Sequence, residues 1–423
     1  MRLRSSAISA IPAIPALVAV AALAACGSPR PCEGVRGVCV ELTAGRSTEP
    51  QIAAAFAGAA DGSTLAFGAG TFTFTAGLAV TARNVTVKGA GSDQTTLDFH
   101  GATAAEQGLL GDRSDGITIS DLAVQDAAGR AVLVRAAAGV TFRRVAAGWT
   151  NPDPRRHGSH GLSAVGCRAV LVDACAATGA TEVGLHVAQS QGAEVRGSTV
   201  QSNGAGVELD STSGGDVHDN VVTLNSAGVV VADLSGPGGD ARGVRVRDNQ
   251  ILSNNVARLP VAGGTAALLP AGSGVIVVAG RQVEVSGNLI KGNRTVGLLV
   301  VSDYAAGLPF GAGFDPYPAQ VYAHDDNFVS NGGRPDPASA LGKLLSDHLE
   351  GMPDLVVPSI VWDGLYDPSG PGGTNPQRLC ARSNTGTGIV NLNRDQLGSD
   401  GSNFASVVSY DPAPFDCALP PLP

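Results

Sequence analysis

Apolar residues along this chain come in short runs bounded by Gly, Asn and Ser. Three runs start at Leu185 (LHVAQ), Val207 (VELDS) and Val229 (VVVAD), each 22 residues after the last and each preceded by a glycine, Gly184, Gly206 and Gly228. Two more start at Val275 and Leu298, 23 apart, after Gly274 and Gly297. Weaker copies begin at Leu162, Val132 and Leu109. A second landmark recurs inside each copy. Asn220, Asn249, Asn288 and Asn327 precede short apolar triplets, with Ser198 and Cys175 in the same slot of earlier copies. Five residues further stand Asn203, Asn225, Asn254 and Asn293; in the last copy Asn331 follows Asn327 by only four.

Each copy therefore holds about three short strands joined by bends. Gly and Asn tolerate left-handed backbone, so they mark the corners. No copy can bury its own apolar residues, but copies stacked at ~4.8 Å pair every strand with its equivalents above and below. An Asn repeated at one corner can form an internal hydrogen-bonded ladder. The pattern predicts an all-β fold, a single-stranded parallel β-helix (solenoid) of roughly nine or ten coils. Sandwiches and propellers predict hairpins or ~40-residue blades instead. TEPQIAAAFAGAADG carries a capping-box pattern from Thr48 to Gln51, with Ile52 and Phe56 on one face and Gly62 at the stop, so an N-terminal helix covers the open first coil. DPASALGKLLSDHLEG reads as a second helix capped by Asp336, with Pro337 at its first position, Leu341, Leu344, Leu345 and Leu349 on one face and Gly351 after it. Insertions at 150–160, 234–243, 256–273 and 303–320 interrupt the coils.

The strings GLHVAQSQGAEVRGSTVQSNGAGVELD and GDVHDNVVTLNSAGVVVADL resemble the right-handed parallel β-helix repeat lipoproteins of the pectin-lyase-like superfamily. The resemblance implies a right-handed solenoid over 45–335, after a leader at 1–25 and an N-terminal segment at 26–44, with a C-terminal helix and tail at 336–423 packed on the last coils. For activity it implies little, because its neighbours include lyases, hydrolases, uronate epimerases and non-catalytic adhesins. Asp315-Pro316-Tyr317 is similar to the Asp-Pro-His motif of uronan epimerases but lacks the His.

MRLRSSAISAIPAIPALVAVAALAAC reads as a secretory leader: Arg2 and Arg4, then an apolar stretch ending in small residues. Leu23-Ala24-Ala25-Cys26 resembles the lipobox of bacterial lipoproteins, which implies a lipid on Cys26 as the only membrane attachment. That places the protein in the periplasm, on the outer membrane or at the cell surface, where disulfides form. Nearness along the chain favours Cys32–Cys39 and Cys380–Cys417; Cys167 and Cys175 either pair or stay as buried thiols. Charged residues are only 15% and aromatics 4%, with a formal net charge of -9. No basic run of five or more exists, which argues against nucleic acid as partner. A polyanionic ligand would need a local basic strip.

Strand alternation puts Leu185, Val187, Val207 and Leu209 inside. His186, Glu208 and Val230 then form one outward column, with Ala188, Asp210 and Ala232 in the next. His186, Glu208 and Asp210 make a polar island, the candidate catalytic set: His186 and Glu208 lie ~4.8 Å apart between coils, Glu208 and Asp210 ~6.6 Å apart along the strand. A carboxyl pair beside an imidazole suits acid–base chemistry, and the Glu208 anion is expected to raise the His186 pKa. A plain solvated sheet face is the structural alternative. The loop NPDPRRHGSHG holds Arg155, Arg156, His157 and His160, candidate ligand-binding residues that could lean over the same face and meet a sugar carboxylate. No metal site and no cofactor is assigned. These features predict a monomeric, exported, lipid-anchored β-helix protein that binds cell-surface or extracellular polysaccharide. A polysaccharide-processing enzyme (uronan lyase or glycoside hydrolase) and a structural or adhesive solenoid are the alternatives. Replacing Cys26 by Ser is expected to leave soluble or unprocessed exported protein; a variant still tightly membrane-bound with its leader removed would refute the anchor.

Overall fold

The computed structural model describes residues 30–422 apart from 103–106, 235–239, 258–267, 309, 350–356, 371 and 399–401. Cys26 and the leader lie outside the described residues. The chain winds as a right-handed parallel β-helix, every pairing within its two sheets being parallel. A typical coil runs Val183–Ala188, Gln191–Arg196 and Thr199–Gln201. The first strand of each coil joins an eleven-stranded sheet that extends from Leu78–Val80 to Ile389–Asn391. The other two join a second, twenty-stranded sheet. The register is the one the repeat predicts, with Leu185, Val207, Val229, Val275 and Leu298 aligned from coil to coil. The solenoid is longer than nine or ten coils because Cys39–Leu42 pairs ahead of the first copies and Ile360–Trp362, Cys380–Arg382 and Ile389–Asn391 of the tail add to both sheets.

One continuous apolar column fills the interior, from Phe67 and Phe72 through Leu185, Val207 and Val229 to Trp362. Corners that cross it carry backbone N–H groups that cannot reach water and must be satisfied internally. Asn220 shows how: its Oδ1 accepts from Ser198 N at 2.9 Å, while its Nδ2 donates to Val195 O at 2.9 Å and to Asn249 Oδ1 at 3.0 Å. Asn249 repeats this with Asn288. A second ladder runs through Asn203, Asn225, Asn254, Asn293 and Asn331. Asn327 does not belong to the first ladder; strand register places Asp326 there, and its Oδ1 accepts from Asn288 N and Nδ2 at 2.8 and 2.9 Å. The ladder residues Asp326 and Asn331 thus keep the five-residue spacing that Asn327 seemed to break. Cys175 opens the first ladder, its N–H donating to Ser198 Oγ, and Cys167 holds the equivalent place at the remaining corner, bonded to Ser190 Oγ. Both thiols are buried and unpaired. Cys32–Cys39 and Cys380–Cys417 are disulfides.

Helix α1, Glu49–Ala57, caps the first coil with Ile52 and Phe56 in the core. Gln51 accepts from Thr48 N–H at 2.9 Å; the helix stops at Gly58, ahead of Gly62, and Glu49 takes the N–H groups of Thr75 and Ala76 from the next turn of chain. A one-turn helix α2, Asp303–Ala306, opens the last insertion. The second expected helix, α3, spans Ala340–Leu349 and starts later than Asp336. Ser339 Oγ accepts from Gly342 N and caps it, while the Asp336 carboxylate is turned to Ala338 N and Ala271 N. Leu341 and Leu345 of α3 lie against Ile276, Leu299 and Val361 on the outer face of the eleven-stranded sheet. Gly351 falls outside the described residues.

Two substitutions test the ladder. Asn220→Leu strips partners from buried amides in neighbouring coils and is expected to destabilise by roughly 1–3 kcal/mol in chemical unfolding; an unchanged midpoint would refute the buried ladder. Asp326 has one unpartnered oxygen, Oδ2, and burial raises its pKa to about 7. Its folded pKa exceeds its unfolded one, so its contribution is present at acid pH and is lost as pH rises toward 7. Asp326→Asn restores an amide and is expected to raise the unfolding midpoint at pH 8 more than at pH 5.

Candidate functional site

Three columns of side chains point outward from the eleven-stranded sheet. The first aligns Arg130, His160, Val183, Ala205 and Ala227; the second Ser163, His186, Glu208, Val230 and Ile276; the third Val165, Ala188, Asp210 and Ala232. Their C-terminal halves are apolar and covered by α3, the 303–320 insertion and the tail. The polar residues collect at the N-terminal margin of that cover. His186 and Glu208 are neighbours in adjacent coils, and Glu208 and Asp210 share a strand face, as the alternation requires. The island is not solvated, however: His186 is 8% and Glu208 2% exposed.

Burial reverses the expected electrostatics. Desolvation, with Arg130 nearby, lowers His186 to about 3, so its ring is neutral. Desolvation, then the fields of Asp210 and Glu182, raise Glu208 to about 8, so at neutral pH it is mostly a carboxylic acid, and its Oε2 has no hydrogen-bond partner. Asp210 rises to about 6 by desolvation, opposed by a 2.7 Å bond from Ser211 Oγ. A protonated Glu208 carries no charge to raise His186, so the expected upward shift does not occur.

Of the 150–160 loop, only His160 joins this group. Its ring lies 4.7 Å from that of His186, and Nε2 is 3.7 Å from Glu182 Oε2. Desolvation, His186 and Arg130 hold His160 well below the usual imidazole range, so that contact is not an ion pair. Arg155 is tied to Asp153 at 2.9 Å and is exposed, as is Arg156. His157 stacks on Trp149 and bonds to the carbonyls of Gly179 and Asn151, a structural post for the loop. Among the described residues no group of three or more His, Cys, Asp or Glu is arranged to hold a metal ion.

A second polar region, not foreseen from the sequence, lies where the last coils turn into the second sheet. The 303–320 insertion gathers Tyr304, Phe310, Phe314 and Tyr317, with Tyr304 and Phe310 edge to face at 4.7 Å and Tyr304 55% exposed. Asp315 of the same insertion pairs with Arg281. Behind Tyr304, Asp303 is fully buried, neither oxygen has a partner, and desolvation plus the field of Asp233 raises its pKa to about 7. Beyond Arg281 the outer face of the second sheet holds a cavity of about 230 Å³ lined by Arg242, Arg281, Arg378, Gln282 and Gln320. It shares Arg378, Gln282 and Gln320 with one of about 290 Å³ that reaches Glu284 and Tyr322 and is walled by Leu419–Leu422. The sequence held two signals for this trough: four aromatics in one insertion of an aromatic-poor chain, and Gln282 and Gln320 where earlier copies carry Gly192, Gly214 and Gly243.

Residues 107–290 match the family described as "Right handed beta helix region". No curated protein matches the chain. Among solved structures it is similar to the tailspike protein of E. coli bacteriophage HK620, in complex with pentasaccharide, at 14% identity and TM-score 0.45, covering 82% of this chain and 63% of that one. It is also similar to the catalytic domain of a GH87 alpha-1,3-glucanase in complex with tetrasaccharides, at 11% identity and TM-score 0.41, covering 72% and 66%. An alginate lyase from Paenibacillus sp. matches at 14% identity and TM-score 0.36, covering 69% and 94%. The chain thus spans just under two thirds of the tailspike and glucanase chains, and none of these likenesses carries a residue role across.

Burial, not the neighbouring carboxyl, sets the His186 pKa. NMR titration is therefore expected to find His186 neutral down to about pH 4 in both the wild type and Glu208→Gln. A wild-type value near ~6.5 would show an exposed ring and refute the buried island. Glu208 has a folded pKa above its unfolded one, so its contribution to stability falls as pH rises from about 4.5 to about 8. Glu208→Gln is expected to flatten that part of the stability profile.

Proposed function

We propose that this chain is an exported, lipid-anchored β-helix protein that binds extracellular or cell-surface polysaccharide at the corner between its two sheets. The observation that carries the reading is the aromatic wall of Tyr304, Phe310, Phe314 and Tyr317 beside an open, Arg- and Gln-lined trough. Exposed rings offer flat apolar surface to the C–H faces of sugars, while amide and guanidinium groups bond hydroxyls. Straight parallel coils present such groups in a row, which suits a chain-like ligand. The leader ending at Cys26 supports export and anchoring, and the two disulfides support an oxidising compartment.

A processing enzyme is the second reading. It is favoured by Glu208 and Asp210, whose environments hold one carboxyl at about 8 and its neighbour at about 6, the separation that acid and base roles require. It ranks second because Glu208 and His186 are closed to solvent.

Titration calorimetry against a panel of bacterial and plant polysaccharides tests both. The wild type is expected to bind at least one member, and Tyr304→Ala to weaken it roughly tenfold, the ~1.4 kcal/mol expected for losing a ring contact. Unchanged affinity in Tyr304→Ala would overturn the proposed site. Release of new reducing or unsaturated ends by the wild type but not Glu208→Gln would favour the enzyme.

A further inference from the structure

The second residue of each long strand of the second sheet, from Ala138–Gly148 to Ala319–His324, bends the chain and requires left-handed backbone. Most coils meet this requirement with glycine: Gly192, Gly214 and Gly243 have φ of 68°, 67° and 68°. In the next two coils the aligned positions are Gln282 and Gln320, with φ of 51° and 56°. Ala169, aligned with Gly192 and with φ of 51°, shows that the bend accepts a side chain at some strain, so what sets Gln282 and Gln320 apart is the pair of amides they add to the trough. Both glutamines line the trough, and the structure offers no reason of packing for them: Gln282 is exposed and Gln320 half-buried.

Three guanidinium groups surround these amides. Arg242 is held by Asp240 at 2.9 Å and Arg281 by Asp315. Each guanidinium has five N–H donors, so both retain donors after pairing with a carboxylate. Arg378 is exposed and has no ion-pair partner among the described residues. Asp240 and Asp315 match two of the three guanidinium charges, which leaves Arg378 as the group's unmatched cation. At its far end the trough is closed by the C-terminal segment. That segment is fastened by the Cys380–Cys417 disulfide and by Arg245, which donates to the Leu422 carbonyl.

The geometry points to an anion subsite in this trough: Arg378, Arg242 and Arg281, with the Gln282 and Gln320 amides, take the carboxylate or sulfate of an acidic sugar residue. This rests on the polysaccharide reading above and narrows its ligand to an acidic glycan. Planar guanidinium groups match the two oxygens of such an anion, and the amides bond its remaining oxygen or an adjacent hydroxyl. The aromatic wall takes the neighbouring sugar whatever its charge.

The test compares oligogalacturonate, a sulfated dextran oligosaccharide and neutral dextran oligosaccharide of equal length, by calorimetry at low salt. One or both acidic probes are expected to bind at least about tenfold tighter than the neutral one, and which of them does so identifies carboxylate or sulfate. Arg378→Ala is expected to weaken acidic binding by at least about tenfold and neutral binding by much less, because the guanidinium charge acts on the anion while a sugar hydroxyl loses only one of several donors. The pair Gln282→Gly with Gln320→Gly restores the residue of the other coils. It is expected to weaken acidic binding by about tenfold while the melting temperature stays level or rises, because strain is relieved. Equal affinity for acidic and neutral probes, or acidic binding untouched by Arg378→Ala, overturns the subsite and leaves the polysaccharide reading standing. A double glycine variant that melts lower yet binds acidic probes normally shows that the glutamines are structural and also overturns it. No binding of any saccharide overturns the polysaccharide reading and the subsite together.

Discussion

A chain that coils around its own core must turn corners without stranding backbone N–H groups inside. Everything else in this protein depends on how that is met. An Asn at a corner does three things at once: its Oδ1 accepts from the coil before, and its Nδ2 donates both to a strand carbonyl and to the next Asn. The ladder therefore fixes the register of each coil on the next, and register in turn decides which side chains face out together. His186 beside Glu208, and Gln282 beside Gln320, are consequences of ladders that neither pair touches.

The interior was readable because it is periodic. The 22-residue spacing and the Gly and Asn landmarks placed the strands and their alignment correctly, and Asp326 was missed only because a neighbouring Asn327 looked the part. The outside was read correctly in direction and wrongly in environment. Alternation says that Glu208 points away from the core; it does not say what lies over it. That depends on insertions and on a helix from distant sequence, neither of which repeats. The same gap explains the loop residues: His160 begins a strand and inherits its column, whereas Arg155, Arg156 and His157 sit where the chain leaves the repeat.

The two outer faces divide the labour. On the eleven-stranded sheet, apolar columns are roofed over and polar residues are caught at the margin, Glu208 as a neutral acid and His160 and His186 as neutral imidazoles. On the second sheet the coils keep a wet surface laced with ion pairs such as Arg196–Asp173 and Arg247–Asp216, and there the insertion and the C-terminal segment raise walls around an open floor. The second face is open to a large molecule, whereas the polar groups on the first sit in a low dielectric.

The roof has a consequence in time. Val230, Ile276 and Leu299 form an apolar stripe completed by residue 301, yet Leu341 and Leu345, which cover it, come later in the chain. Coils can stack in order as the polypeptide emerges, each templating the next, but the stripe stays bare until the last fifth has followed. A nascent or truncated molecule would display a flat, sticky flank of parallel strands, the kind of surface on which copies associate. The final segment thus covers an apolar face that the part before it leaves bare.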